Sequence, residues 1–428
     1  MLLAAILSSL IFVASLVLIF TEKINRMIVA FAGAMLMVTL GQALRFYDMQ
    51  SAIEAIDFET LGLLMGMMII VAMLEPTGFF QYLAVLAARA SKGKPTRLFV
   101  LLGSVTTVLS MFLDNVTTVV LIAPVTLLIS EILGVSAIPY LIAEAILSNT
   151  GGVATLVGDP PNVLIGSAAG FSFTDFLVYS LPIVAVTWFG TLILLHYLFK
   201  KELSKRPRGA KAVMKLNPAQ SLNEPEKARK ILAVLGMAVL FFFVHHLLHI
   251  EPAFVALGAA AVAMLWVQPD MHETLKKVEW SVLVFFGALF VMVGGLENAG
   301  VLESIVGLFR SESSVHPMLF GVAIIWAVAI LSAVVDNIPI TIALIPIIQG
   351  LGETGMDVTP LWWALAFGAG FGGNGTIIGS TANIIVATLS EKTRTPITAS
   401  LWMKRGLPVM LVACAIASIL YTILYNWF

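Results

Sequence analysis

Twelve apolar segments follow one another along the 428 residues, each long enough to enter or span the roughly 30 Å hydrocarbon core of a bilayer. A globular domain could not bury them all. With 11% of its residues charged, the chain also lacks the polar surface that water solubility requires. In lipid only helices and closed barrels satisfy their own backbone, and continuous segments of this length specify helices. The expected fold is therefore an all-α polytopic membrane protein. The first segment, Leu2 to Phe20, has no basic stretch before it and no small-residue cleavage site after it, so it reads as a spanning helix rather than a signal peptide. A net charge of −1 argues against nucleic acid as a partner and leaves membrane lipid as the medium.

The segments are related in pairs. At a shift of 222 residues, Glu75 falls on Glu297, Gly78 on Gly300, Asp114 on Asp336, Asn115 on Asn337 and Pro124 on Pro346. After the loss of one residue, a shift of 221 brings Gly151-Gly152 onto Gly372-Gly373, Thr155 onto Thr376, Gly158 onto Gly379 and Asn162 onto Asn383. Shared hydrophobicity does not produce matches at polar and turn positions, so the chain reads as a duplication. It divides into an N-terminal repeat, 1–199, a linker, 200–230, and a C-terminal repeat, 231–428. The linker carries ten Lys/Arg against three Glu, with Pro207, Pro218 and Pro225, which suggests a partly flexible connection.

Charge then orients the chain. All but two of the 24 Lys/Arg, Arg45 and Arg310, lie in the stretches 21–26, 89–97, 200–230, 269–279 and 391–405. The positive-inside rule puts those five stretches, the linker among them, on the cytoplasmic side of the cell inner (plasma) membrane. They share a side only if segments 98–131 and 316–350 enter and leave by one face, as re-entrant hairpins. The first would open from the cytoplasm and the second from outside. The repeats are then inverted, each with five crossings and one hairpin, the architecture of secondary transporters.

Two places carry chemistry. The hairpin tips, Leu113-Asp114-Asn115-Val116-Thr117-Thr118 and Val335-Asp336-Asn337-Ile338-Pro339, put a carboxylate and a carboxamide at membrane depth. An intramembrane acid is costly and usually faces a cavity. The structural alternative is capping of loose hairpin amides. The second pair is Gly151 to Asn162, within segment 138–167, and Gly372 to Asn383, within segment 361–390. Their glycines and prolines should unwind the helix and present carbonyls and half-helix ends to a ligand. Thr155, Asp159 and Asn162 in the first stretch, and Asn374, Thr376, Ser380, Thr381 and Asn383 in the second, are the candidate ligands there. A packed proline kink is the alternative.

Asp-Asn with a proline ten residues after the Asp, followed by Gly-Gly-x-x-Thr-x-x-Gly-x-Pro-Pro-Asn, resembles the ion transporter superfamily. In that superfamily's sodium-coupled dicarboxylate and citrate carriers the tips read Ser-Asn-Thr. Here Asp114 and Asp336 replace the serines, and Val116 and Ile338 replace the threonines. Leu-Asp-Asn-Val-Thr-Thr and Gly-Asp-Pro-Pro-Asn are most similar to the ArsB/NhaD permease branch. That branch holds arsenite permeases, NhaD-type antiporters and the melanosomal P protein. The resemblance implies a homodimer and an elevator mode, in which a transport domain slides against a scaffold. Whether a soluble ATPase subunit joins it stays open.

No Lys or Arg lies in the tips or unwound stretches, and three aspartates there would repel an anionic cargo. Carboxylates in place of serines suggest protons as the coupling ion, with sodium as the other option. No resident cofactor or metal is expected. The leading expectation is proton-coupled efflux of a small inorganic substrate, arsenite or antimonite, and the second is NhaD-type sodium/proton antiport. The single cysteine, Cys414, excludes multi-thiol chelation of As(III) within one chain. Glu144, with Ser148 and Asn149 beyond it, is a candidate proton relay. Glu75 and Glu297 precede turn sequences and read as helix-end residues, and His245, His246 and His249 as interfacial. An enzyme is not expected. A two-aspartate protease needs Gly-x-Gly-Asp, whereas Asp159 follows Val157-Gly158 and its repeat mate is Ser380, so the symmetry fails, and neither HExxH nor Gly-x-Ser-x-Gly occurs.

Overall fold

The computed structural model describes residues 2–21, 23–301, 316–393 and 395–428. Among these residues there are helices and connecting turns but no strand. Nine of the described helices are long and apolar enough to cross a membrane. The first half comprises α1 (Leu2–Phe20), α2 (Arg26–Leu44), α3 (Met49–Glu54), α4 (Phe58–Leu74), α5 (Phe79–Ala90), α6 (Pro95–Ser110), α7 (Asn115–Leu133), α8 (Ile138–Gly152), α9 (Pro160–Ala169) and α10 (Leu181–Leu198). The second comprises α11 (Pro225–Val244), α12 (Pro252–Val267), α13 (Met271–Lys276), α14 (Trp280–Asn298), α15 (Pro317–Val334), α16 (Asn337–Glu353), α17 (Thr359–Gly372), α18 (Thr381–Ser390) and α19 (Ala399–Ile423). Arg310, one of the two lysines or arginines outside the basic stretches, lies outside the described residues.

Helix bounds recur at the sequence shift. Residues Met49–Glu54 of α3 fall on Met271–Lys276 of α13 at 222, and Pro160–Ala169 of α9 fall on Thr381–Ser390 of α18 at 221. Packing recurs as well. Helix α2 lies on α14 as α12 lies on α4, and α6 lies on α8 as α15 lies on α17. Helix α7 packs on α18 as α16 packs on α9, so each hairpin of one half meets the broken helix of the other. These crossed pairs bring the tips and the broken ends to one place.

Local chemistry starts and stops these helices. Asp114 caps α7, accepting from the Thr117 N–H at 2.8 Å, and Gly134 ends that helix in the left-handed region at φ 69°. Asp336 caps α16 through the Ile338 N–H. The capping role raised as a structural alternative is thus present at both tips. Proline opens α9 at its first position, where its missing N–H costs nothing.

The chain leaves its helix where the glycines stand: α8 ends at Gly152 and α17 at Gly372. What requires glycine is close approach. A Cβ on Gly158 would lie 2.5 Å from the Gly152 carbonyl and 2.7 Å from that of Ser110. One on Gly379 would lie 2.7 Å from the Gly373 carbonyl and 2.9 Å from that of Ser332. Both ends of each loop press on each other and on the hairpin.

The linker is also more ordered than its composition suggests. It contains the short helices Lys200–Leu203 and Ala210–Met214, and α11 begins at Pro225, inside the stretch read as linker. The N–H groups of Arg208 and Gly209 donate to the Leu133 carbonyl at 3.1 and 3.2 Å, and that of Asn223 donates to Thr77 at 2.9 Å. Tertiary hydrogen bonding overrides the Pro- and charge-rich pattern.

Gly158→Ala and Gly379→Ala should each cost about 1–3 kcal/mol or more, because the obstructing atoms are backbone and cannot rotate away. Gly258→Ala, with nothing within 4 Å of its added Cβ, should be neutral. Melting midpoints in detergent would check both expectations.

Candidate functional site

Four helix N-termini converge on one cavity of about 50 Å³, room for a small ion with a few waters. Helix α7 contributes Asp114 and Asn115, α9 Asp159 and Pro160, α16 Asp336 and Asn337, and α18 Ser380 and Thr381. Both α9 and α18 begin, at Asp159 and Ser380, without a side-chain cap; α9 opens on Pro160 and Pro161, which carry no N–H, so it is α18 whose first N–H groups stay available at the cavity rim. Asp159 is 2% exposed, accepts from the Asn337 amide at 3.1 Å, and lies within electrostatic reach of Asp336 and Asp114. Met67, Met68 and Val71 of α4 close the apolar side.

Beneath the cavity Asn149 joins both halves. Its Oδ1 accepts from the Asn115 amide and the Ser380 hydroxyl, each at 3.0 Å. Its Nδ2 donates to the Oδ1 atoms of Asn374 and Asn383, at 3.0 and 3.1 Å. A buried carboxamide with two donors and two acceptors in use is fully satisfied, and ties four segments at once.

Other candidate ligands sit behind this layer. The Asn162 amide donates to the Gly152 and Thr155 carbonyls at 3.0 and 2.8 Å, and Asn383 repeats the pattern on Gly373 and Thr376 at 2.7 and 2.9 Å. The hydroxyls of Thr155 and Thr376 donate to the hairpin carbonyls of Met111 and Ala333. The expected free carbonyls of Gly152, Thr155, Gly373 and Thr376 are therefore occupied, because unwound backbone has to find partners within the protein. Thr117 hydrogen-bonds Asp114, and the buried Thr118 hydroxyl has no partner. Neither Thr117 nor Thr118 lines the cavity, and nor do Thr155, Asn162, Asn374, Thr376 or Asn383.

Glu144 is fully buried on α8. It accepts from Thr126 through one oxygen, and the other has no partner. One turn on, Ser148 bonds Ser110 at 3.0 Å and the Asn115 carbonyl at 3.2 Å. The candidate relay residues thus run from α8 to the first tip. Glu75 pairs with Lys277 at 3.1 Å, His245 Nδ1 bonds the Ile250 carbonyl, and Cys414 is buried in α19, away from the cavity.

Two cavity residues escape sequence reasoning. Arg26, the first residue of α2, forms an ion pair with Asp336 and lies over the Phe285 ring, 5.4 Å from its centroid. Glu279, just before α14, lines the cavity within electrostatic reach of Asp114 and Arg26. Arg26 reads in sequence as a topological charge, and its contact with Asp336 spans 310 residues. Glu279 had a usable signal: its mate at a shift of 222 is Asp57, also an acid directly before a spanning helix. Asp57 caps its own helix through Thr60, whereas Glu279 makes no such bond.

Asn149→Ala should strand four buried polar groups at about 1–3 kcal/mol each. A melting midpoint far below wild type in detergent would register it, and an unchanged midpoint would contradict the role given to this network.

A sequence profile described as citrate transporter (CitMHS) matches residues 16–368. The chain is 37% identical over 415 residues to a 46 kDa membrane protein of Mycobacterium leprae, covering 96% of each. It is 31% identical over 446 residues to an uncharacterized transporter of Synechocystis, covering 97% of each. To the human P protein it is 33% identical over 446 residues, covering 85% of this chain and 53% of that protein. In fold it is similar to the YdaH transporter of Alcanivorax borkumensis, with a TM-score of 0.54, 14% identity, and coverage of 86% of this chain and 88% of that one. The resemblance seen in the motifs holds at this broader level, without the ArsB/NhaD branch being singled out. Matched over most of its length by profile and by relatives, this all-helical chain belongs to the CitMHS citrate transporter family of membrane transporters.

Proposed function

We propose that the chain is a proton-coupled antiporter for a small monovalent cation, with sodium the first to test. The observation that carries this reading is the charge balance of the cavity. Asp114, Asp159, Asp336 and Glu279 face the guanidinium of Arg26 and four helix N-termini. An N-terminus with free N–H groups is worth about +0.5 charge, and α9, opening on two prolines, contributes least, so with every acid ionised the site stands between about −1 and −2. One proton, or one monovalent cation, offsets most of that charge, and the two would oppose each other electrostatically. Neutral arsenous acid would not offset it. Free citrate would deepen it by three charges and would need far more room than about 50 Å³. The order of the two sequence expectations is accordingly reversed. Arsenite efflux ranks second, favoured by the hydroxyls and amides of Ser380, Thr381, Asn115 and Asn337 along the same wall.

Packing suggests how access alternates. The first hairpin and the two broken helices are joined through Asn149, and α16 packs on α9, while α2, α4, α12 and α14 pack on one another. In an elevator cycle the first group would carry the cavity past the second, in the inner membrane with the linker on the cytoplasmic side.

The test uses everted vesicles from cells lacking their own exporters, energised acid inside. Sodium should collapse the pH gradient, and Asp114→Asn or Asp336→Asn should cut that response by more than about tenfold. Uncoupler-sensitive As(III) accumulation without a sodium response would overturn the cation reading and favour the metalloid one.

A further inference from the structure

Arg26 occupies a boundary. A second cavity of about 410 Å³ lies outside the first, walled by Asn25, Met27, Ser281, Val335 and Ile384 among others. Five residues line both: Arg26, Glu279, Val282, Asp336 and Thr381. The Arg26–Asp336 ion pair thus stands in the wall that the larger vestibule shares with the inner cavity. The Thr381 hydroxyl is 3.5 Å from the same Asp336 oxygen that Arg26 engages, and the Phe285 ring lies against the guanidinium. Among the described residues lining the inner cavity, Arg26 is the one cation.

We propose that Arg26 is the gate of this cavity: a tethered cation that closes the vestibule over the inner acids by pairing with Asp336, and that must leave Asp336 before cargo can enter. Three features carry this. First, the pair joins two packing groups, since Arg26 begins α2, which lies on α14, whereas Asp336 caps the hairpin helix α16. Breaking it therefore removes a charged tie between α2 and the hairpin, which stays packed on α14, as well as opening the path. Second, the pair is half-wet rather than sealed. The Arg26 side chain is 32% exposed and that of Asp336 18%, so water at the vestibule can solvate the guanidinium when it swings out. A pair this open to water is weak compared with a sealed one, which suits a contact that opens at every turnover. Third, the cargo proposed above competes with Arg26 for the same carboxylate. A cation arriving in the vestibule loosens the pair by competing for Asp336, a neutral solute does not, and an anion that drew Arg26 away would meet the uncovered acids and be repelled. Gating and selection would then reside in one contact. This last point rests on the cation reading of the site; the gate itself does not.

Two measurements test it, one independent of cargo. In a Cys414→Ala chain, a thiol placed by Val116→Cys on the inner cavity wall reports access by its rate of reaction with a small membrane-impermeant thiosulfonate in reconstituted vesicles. Adding Arg26→Ala should raise that rate by about tenfold or more, and Arg26→Lys should restore slow labelling. A rate unchanged by Arg26→Ala overturns the gate, whatever the protein transports. In proteoliposomes Arg26→Gln removes a positive charge from the rim of the site. The sodium concentration giving half-maximal proton flux should fall by about tenfold, and proton leak without sodium should rise. An unchanged half-maximal concentration and unchanged leak would overturn the selection role. A wild-type protein that shows no sodium-driven flux would refute the cargo assignment instead, and the thiol measurement would still decide the gate.

Discussion

A backbone that leaves its helix inside a bilayer has no water to turn to, and that constraint organises this protein. Between α8 and α9, and again between α17 and α18, the chain abandons helical hydrogen bonding for about seven residues. Four carbonyls released there are caught by two carboxamides, Asn162 and Asn383, and the loops are pinned to the hairpins by the Thr155 and Thr376 hydroxyls. Only once the loops are closed in this way can α9 and α18 start abruptly, with their N-termini aimed into a shared space. Asn149 then reaches Asn383 from the opposite half and fastens α8 to the second clamp. The cavity is a by-product of backbone satisfaction.

Symmetry supplies the frame of the site, and departures from it supply the chemistry. The tip acids Asp114 and Asp336 are mates, as are the two clamps. Asp159 has Ser380 as its counterpart, which adds a carboxylate on one side alone. Arg26 falls opposite Leu248, an apolar residue at the end of a different helix. Glu279 and Asp57 match in type, yet one faces the cavity and the other caps its own helix. A fully symmetric site would hold equal charge in both repeats. This one concentrates its guanidinium at the Asp336 end and its third aspartate at the start of α9, so the two tips are chemically unlike.

Much of this was legible in the residues. Polar identities at a fixed shift revealed the duplication, and acids in apolar stretches marked the tips, because their cost in lipid makes them conspicuous. The residue types at positions 155, 162, 376 and 383 pointed to hydrogen bonding, but sequence cannot say whether an amide serves a ligand or the chain's own carbonyls. The glycines were half-legible for a related reason: a missing Cβ signals both a weak helix and a close approach, and the second shows only when Gly158 is seen against Gly152 and Ser110. Arg26 was out of reach, since a basic residue at a helix start has an adequate explanation in topology and its contact with Asp336 is entirely tertiary.

The bonds from Arg208 and Gly209 to the Leu133 carbonyl have a mechanical meaning. They fix the connection between halves to the far end of α7, the helix whose other end bears Asp114, and Asn223 is fixed in turn to Thr77, just ahead of α5. The segment between the halves is therefore a strap buckled at two points, with little free length between them. Any displacement of α7 must drag the strap along or unbuckle it. A force applied to that basic segment, by a bound partner or by a cut in the chain, would be felt at the carboxylate on the opposite end of the helix, some nineteen residues away.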